Sequence, residues 1–259
     1  MEATLEQARR MGAPRALALC HCFAGALEFQ NGAWEEAEKV LHAAIRLYRE
    51  LGAASGEALS RQRLGVLLTA QGRLTEAEAV LQEGIGVAEG ALMRAHCLTR
   101  LYAALARNRL AAGDVQAAAQ ALGLGLTMSD RHGHCTTCNA LLLPVAVSVR
   151  IGEGRLDEAG HFARRLDEAA ARYGSRVWLA MAQQSQGELE MAHGNLDAAI
   201  AHYQAAYTNF EGAHYAFEAL RCLEALAFLH QQHQDWPQVT AIQQAAAQIA
   251  RRLGVESRA

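Results

Sequence analysis

GRLTEA, at Gly72–Ala77, is the stretch that decides the fold. The phrase returns as GAWEEA at Gly32–Ala37, GDVQAA at Gly113–Ala118, GRLDEA at Gly154–Ala159 and GNLDAA at Gly194–Ala199. A worn copy, QDWPQV, fills Gln234–Val239. Successive starts lie 40, 41, 41, 40 and 40 residues apart, a period that belongs to stacked helical arrays. Each position suits a corner between two helices. The glycine ends the first helix, because only glycine enters the left-handed position after a helix without strain. The large residue two places on (Trp34, Leu74, Val115, Leu156, Leu196, Trp236) packs the corner. The acidic residues that follow favour the positive end of the next helix, and Pro237 occupies a first-turn position that tolerates it. The alanine five residues after each glycine lets the two helices approach closely.

The flanks agree with this reading. Segments such as SRQRLGVLLTAQ precede the corner, and EEAEKVLHAAIRLYRELG or LDAAIAHYQAAYTNFEG follow it, with apolar residues at helical spacing. The sequence therefore predicts an all-α, right-handed α-solenoid of six hairpins. They span about 15–52, 55–90, 94–130, 136–173, 176–212 and 214–253, in a single superhelical domain over 1–259. No hairpin buries its own face, so neighbours share a core.

Composition supports it. Of 259 residues 55 are alanine, 3 are proline and 6% are aromatic, which favours helix over sheet. Half the chain is apolar (51%), enough for a large core. The net charge of −3 argues against nucleic-acid contact, which draws on a basic surplus. No apolar run reaches the ~20 residues that span a bilayer, and MEATLEQARRMGAP holds no apolar signal core. A cytoplasmic protein without membrane contact is expected.

The small and large positions carry a family resemblance. In the second hairpin Leu64, Gly65, Gly72, Ala77 and Leu81, and in the fifth Gly187, Gly194, Ala199, Tyr203 and Ala206, follow the pattern of the tetratricopeptide repeat (TPR). The usual TPR period is about 34 residues. Hairpins of 40 over residues 15–253 resemble the sensor domain of MalT-type regulators, ATP-dependent transcriptional activators of the LuxR family. That family joins a P-loop ATPase to a helix-turn-helix. This sequence contains no G-x-x-x-x-G-K-[ST] and ends at ARRLGVESRA, so ATP and DNA binding are not carried over. The resemblance implies transcriptional regulation and signalling through a bound protein, peptide or small inducer, or else a stand-alone scaffold with protein partners only. It also implies that first helices line a concave face. Counting back from each corner puts Gln62 with the adjacent Arg63, Arg100, Arg107, Ser148, Gln184, Glu188, Arg221 and Glu224 on that face. The forked guanidiniums of Arg100 and Arg107 suit a carboxylate or phosphate; pairing with Glu188 or Glu224 is the plainer alternative.

No catalytic constellation is present: G-x-S-x-G, H-E-x-x-H and a phosphate loop are all missing, so no enzyme is expected. Gly123 and Gly125 fall within a second helix, where they are expected to permit close packing. One cluster stands out, His132-Gly133-His134-Cys135-Thr136-Thr137-Cys138. Cys97 and Cys138 both lie 16 residues before a corner glycine, so they occupy equivalent places on adjacent hairpins. With Cys135 and one of His96, His132 or His134 (the last preferred), they form a candidate Cys₃His set for structural zinc. A reversible disulfide of Cys138 with Cys135 or Cys97, or plain packing of small thiols, fits the same residues. Pro144 falls inside the first helix of hairpin four, where proline removes a hydrogen bond, so a distortion is expected there. The final helix carries AIQQAAAQIA, which is poor in charge and open to pairing with a second copy.

Overall fold

The computed structural model describes residues 2–133 and 135–255. Among them are thirteen α-helices: α1 (Glu2–Arg10), α2 (Pro14–Asn31), α3 (Trp34–Glu50), α4 (Ala54–Ala70), α5 (Leu74–Glu89), α6 (Arg94–Ala111), α7 (Val115–Arg131), α8 (Thr136–Gly152), α9 (Leu156–Tyr173), α10 (Arg176–Ala192), α11 (Leu196–Gly212), α12 (Ala216–Gln232) and α13 (Trp236–Leu253). The described residues hold no strand, and α2–α13 make the hairpins of an α-solenoid. The chain divides into two compact units, Met1–Phe29 with Ala33–Leu142, and Gln30–Gly32 with Leu143–Ala259. In the first, α3 through α7 pack in succession and α4 also meets α6. In the second, α9 through α13 pack in succession.

The corners form as the repeated phrase requires. Gly32, Gly72, Gly113, Gly154 and Gly194 have φ between 73° and 86°, the left-handed region in which a side chain is strained. In the worn copy Gln234 takes φ 58° instead. Five residues on, Ala37, Ala77, Ala118, Ala159 and Ala199 are all 0% exposed. Trp34 is buried and donates its indole N–H to the Phe29 carbonyl at 3.1 Å. Trp236 departs from the expectation: it is 57% exposed, so it does not fill its corner.

Within a hairpin the two helices meet at a notch. Gly25, Gly65 and Gly187 each lie seven residues before a corner glycine, and Leu41, Leu81 and Tyr203 each lie nine after one. A Cβ on Gly25 would stand 2.4 Å from Leu41 Cγ, on Gly65 2.5 Å from Leu81 Cγ, and on Gly187 2.8 Å from Tyr203 Cδ2. No methyl fits there, so the large residue takes the room of the missing side chain. The GLGLG segment behaves unevenly. Gly125 does allow close packing, a Cβ there being 3.0 Å from Leu142 Cδ1, whereas Gly123 faces open space.

Two charged side chains deep in the first unit compensate each other. Glu57 and Arg61 are 6% and 5% exposed. Arg61 donates to Glu57 at 3.0 Å and to Glu83 at 2.5 Å, and Arg49 adds a second donor to Glu57 at 3.2 Å. Burying either alone would be costly, and the cluster lets the carboxylates and guanidiniums compensate one another. Helix α8 runs unbroken over its 17 residues through Pro144, so the expected distortion does not interrupt the helix.

The notch generates a sign reversal. Gly65→Ala is expected to destabilise the protein by about 1–3 kcal/mol, through overpacking against Leu81. Gly123→Ala, in an open position of α7, is expected to stabilise it by up to about 1 kcal/mol. Urea unfolding of the two variants checks both signs, and equal effects would contradict the packing.

Candidate functional site

The chemically distinctive groups gather where the first turn of α6 meets the start of α8, inside the first unit. His96, Cys135 and Cys138 offer one ring nitrogen and two sulfurs that lie within 4.8 Å of one another. His96 Nδ1 is 3.1 Å from Cys138 Sγ and 3.9 Å from Cys135 Sγ. The local sequence explains the approach. The carbonyl of Cys135 accepts the first turns of α8 from the N–H groups of Cys138 and Asn139, which swings both sulfurs toward α6. A cavity of about 360 Å³ opens beside them, lined in part by Leu92, Met93, Met128 and His132. Cys135 is exposed at it, Cys138 is buried, and all six cysteines are free thiols.

The ligand set differs from the one the sequence suggests. Cys97 is absent from the cluster: its Sγ points to the Ser55 carbonyl at 3.7 Å. Cys138 Sγ points likewise to the His96 carbonyl at 3.8 Å. Both reach 42 residues back, so the two cysteines are translated copies of one another. Equivalent side chains in a repeat point the same way and do not converge. His96, one residue from Cys97 and turned about 100° around the helix, takes the place given to Cys97. His134 lies outside the described residues. His132 lines the cavity without joining the three converging atoms.

The two sulfurs differ electrostatically. Burial pulls the Cys135 thiol upward, but the Thr137 hydroxyl and the N–H groups of Cys138 and Thr137 take it below the ordinary thiol value. Burial pushes Cys138 up to about 12, and its neighbour Cys135 adds to that. Burial, followed by the charge of Arg100, lowers the His96 pKa and keeps the ring neutral. Arg100 itself is half-buried, with its own pKa lowered by burial and a buried Nε that meets no hydrogen-bond partner among the described atoms.

The residues assigned to a binding face are scattered in role. Gln62 and Gln184 are buried at 5% and 7% exposure, so they belong to the packing between helices rather than to an open face. Arg63 donates to the Cys22 carbonyl at 2.9 Å and stacks 4.6 Å over the Phe23 ring. Arg107 and Glu224 are half-buried. In the second unit Ser148, Glu188 and Arg221 do come together. Ser148 donates to Glu188 at 2.5 Å, and Arg221 pairs with Glu218 at 3.1 Å. Burial works against the Arg221 charge, but Glu218 and Glu188 outweigh it and raise its pKa.

Helix α2 carries a further surface. On α2, Leu19, Phe23 and Leu27 are 50%, 49% and 44% exposed, one per turn along a single stripe. Ala18, Cys22 and Ala24 of the same helix are buried. The signal was available: PRALALCHCFAGALEFQN is apolar on every face, which a half-exposed helix does not require.

Residues 15–90 match the tetratricopeptide repeat family. No curated protein matches the chain. Among solved structures, BtubC (BKLC) from P. vanneervenii aligns over 88% of this chain and 92% of its own, at 17% identity and a TM-score of 0.57. The apo form of RapI aligns over 91% of this chain and 77% of its own, at 14% identity and a TM-score of 0.43. At such identities the likeness to BtubC concerns the fold, a TPR-like array of helix hairpins.

The thiol environments set an order of reactivity. Under reducing, metal-free conditions iodoacetamide should modify Cys135 first and Cys97, Cys138 and Cys222 last, because burial raises the pKa of all three. Peptide mapping over time checks this. Modification of Cys97, Cys138 or Cys222 as fast as Cys135 would contradict it.

Proposed function

We propose that the chain is a non-catalytic, TPR-like module that binds a protein or peptide through the apolar stripe of α2. The carrying observation is the exposure of Leu19, Phe23 and Leu27 on a helix whose opposite face is already buried. Three large apolar side chains one turn apart form a ridge, and an amphipathic partner segment with apolar residues at i and i+4 covers such a ridge. The stripe lies 13, 9 and 5 residues before the corner glycine Gly32. In the family's pattern first-helix positions of this kind face the ligand. Arg63, the equivalent of Phe23 one hairpin on, lies over the Phe23 ring and supplies a cation at the edge of the stripe. No described helix is long and apolar enough to cross a membrane. The reading takes the partner to be a cytoplasmic one.

In its finer form the reading is regulatory: the module is the sensor of a MalT-type transcriptional regulator, and occupancy by a partner or small inducer is passed to attached domains. The 40-residue period of the hairpins supports this, as does the half-buried Arg100, whose Nε meets no partner among the described atoms. The alternative is a scaffold that only assembles protein partners.

Affinity capture with the intact chain, identification of the partner, and calorimetry with purified components test the reading. Phe23→Asp with Leu27→Asp should weaken binding at least tenfold, on the order of the 1.4 kcal/mol that marks a contributing contact, with the helical circular dichroism unchanged. Undiminished binding by the folded variant would contradict the stripe. For the finer form, Arg100→Ala with Arg107→Ala should lower reporter transcription. Unchanged transcription alongside intact partner binding would leave the scaffold.

A further inference from the structure

We propose that His96, Cys135 and Cys138 form a zinc site of the Cys₂His type, with a fourth coordination position open to the cavity beside them. The proposal goes beyond partner binding and stands apart from the α2 stripe.

Distance is the first argument. Zinc bonds thiolate sulfur at about 2.3 Å and imidazole nitrogen at about 2.0 Å, so three corners of its tetrahedron lie about 3.5–3.8 Å apart. His96 Nδ1 stands 3.1 Å and 3.9 Å from the two sulfurs, on either side of that spacing, and all three atoms lie within 4.8 Å of one another. Shifts of a few tenths of an ångström bring the two nitrogen–sulfur distances to the corner spacing, and the sulfurs, within 4.8 Å of each other, have at most about 1 Å to close. Convergence is the second argument. A Cys-x-x-Cys by itself is a weak signal, but here a histidine about 40 residues earlier in the chain turns its ring nitrogen onto the pair. The third argument is the donor set. Two thiolates and an imidazole suit zinc rather than calcium or magnesium, which take oxygen.

Occupancy follows a balanced step. Zn²⁺ forms bonds to both sulfurs and to His96 Nδ1, and the protons of the two thiols pass to solvent. Among the described residues three protein ligands converge, which leaves one tetrahedral position. Cys135 is exposed and borders the cavity of about 360 Å³, so that position faces space large enough for a small molecule. Water fills it at rest, and a nitrogen or sulfur donor displaces the water. The ion also ties the chain between α7 and α8 to the first turn of α6.

The test uses the full reduced chain loaded with zinc and dialysed, with elemental analysis, followed by cobalt(II) in place of zinc. The expected result is one zinc per chain in the wild type and in Cys97→Ser. In His96→Gln and in Cys138→Ser, affinity should fall by more than the about 10–100-fold that loss of an outer-shell partner costs. Cobalt should show thiolate charge transfer and four-coordinate d–d bands, and added imidazole should shift the d–d bands. Circular dichroism verifies that the variants fold, and the wild-type cobalt spectrum decides the matter should one of them fail to. The proposal is overturned by wild-type protein that retains no zinc with its thiols free, by a Cys135–Cys138 disulfide under the same reducing conditions, or by zinc retention that depends on Cys97 but not on His96. A cobalt spectrum indifferent to imidazole would overturn the open position.

Discussion

Three times in this chain a glycine on the first helix of a hairpin faces a leucine or tyrosine on the second with no room for a methyl between them. At Gly25–Leu41, Gly65–Leu81 and Gly187–Tyr203 the large side chain occupies the volume that any other residue would fill. The corner that follows each of these glycines depends on that approach. The helices converge there, the buried alanine after each corner glycine lies at their contact, and the chain must reverse through a left-handed residue. The pairing of small against large therefore sets the spacing of the helices, and the spacing sets which first-helix residues meet across neighbouring hairpins.

Hairpin four reverses the pattern. At the register position of Gly65 it has Val147, and at that of Leu81 it has Ala163, both nearly fully buried. Hairpin three is intermediate, with Ala106 and Leu122. Exchanging large and small between the two register positions conserves volume, which a core tolerates. The same hairpin begins with Cys135 and Cys138 and carries Pro144, and the division between the compact units falls within its first helix, between Leu142 and Leu143. This hairpin combines a reversed notch with the two thiols that converge with the His96 imidazole.

The repeat was legible because its determinants are local. A glycine that must turn left-handed and an alanine that must be fully buried are properties of single positions, and all five full copies show both. The candidate site was only half legible. Cys135 and Cys138, three residues apart, are recognisable in the sequence, and His96 is one of three histidines near enough in register to join them. Cys97 misled because register gives the place of a Cα along the array but not the direction of the side chain. Translated copies stay parallel, so Cys97 and Cys138 each reach the carbonyl one hairpin back. Gln62 and Gln184, each ten residues before a corner, are buried for a related reason: register alone does not give the direction of a side chain. The stripe on α2 was hidden by its own uniformity, since a helix apolar on every face gives no direction to its exposed side.

If the notch organises the hairpins that carry it, its two residues must be energetically coupled. A double-mutant cycle of Gly65→Ala and Leu81→Ala, read by urea unfolding, tests that most directly. Alone, Leu81→Ala opens a cavity; in combination, the methyl that Gly65→Ala introduces moves into the space that Leu81 vacates. The predicted result is a double variant at least about 1 kcal/mol more stable than the sum of the single losses, within the range seen for residues in contact. Additive losses, within about 0.5 kcal/mol, would contradict the account.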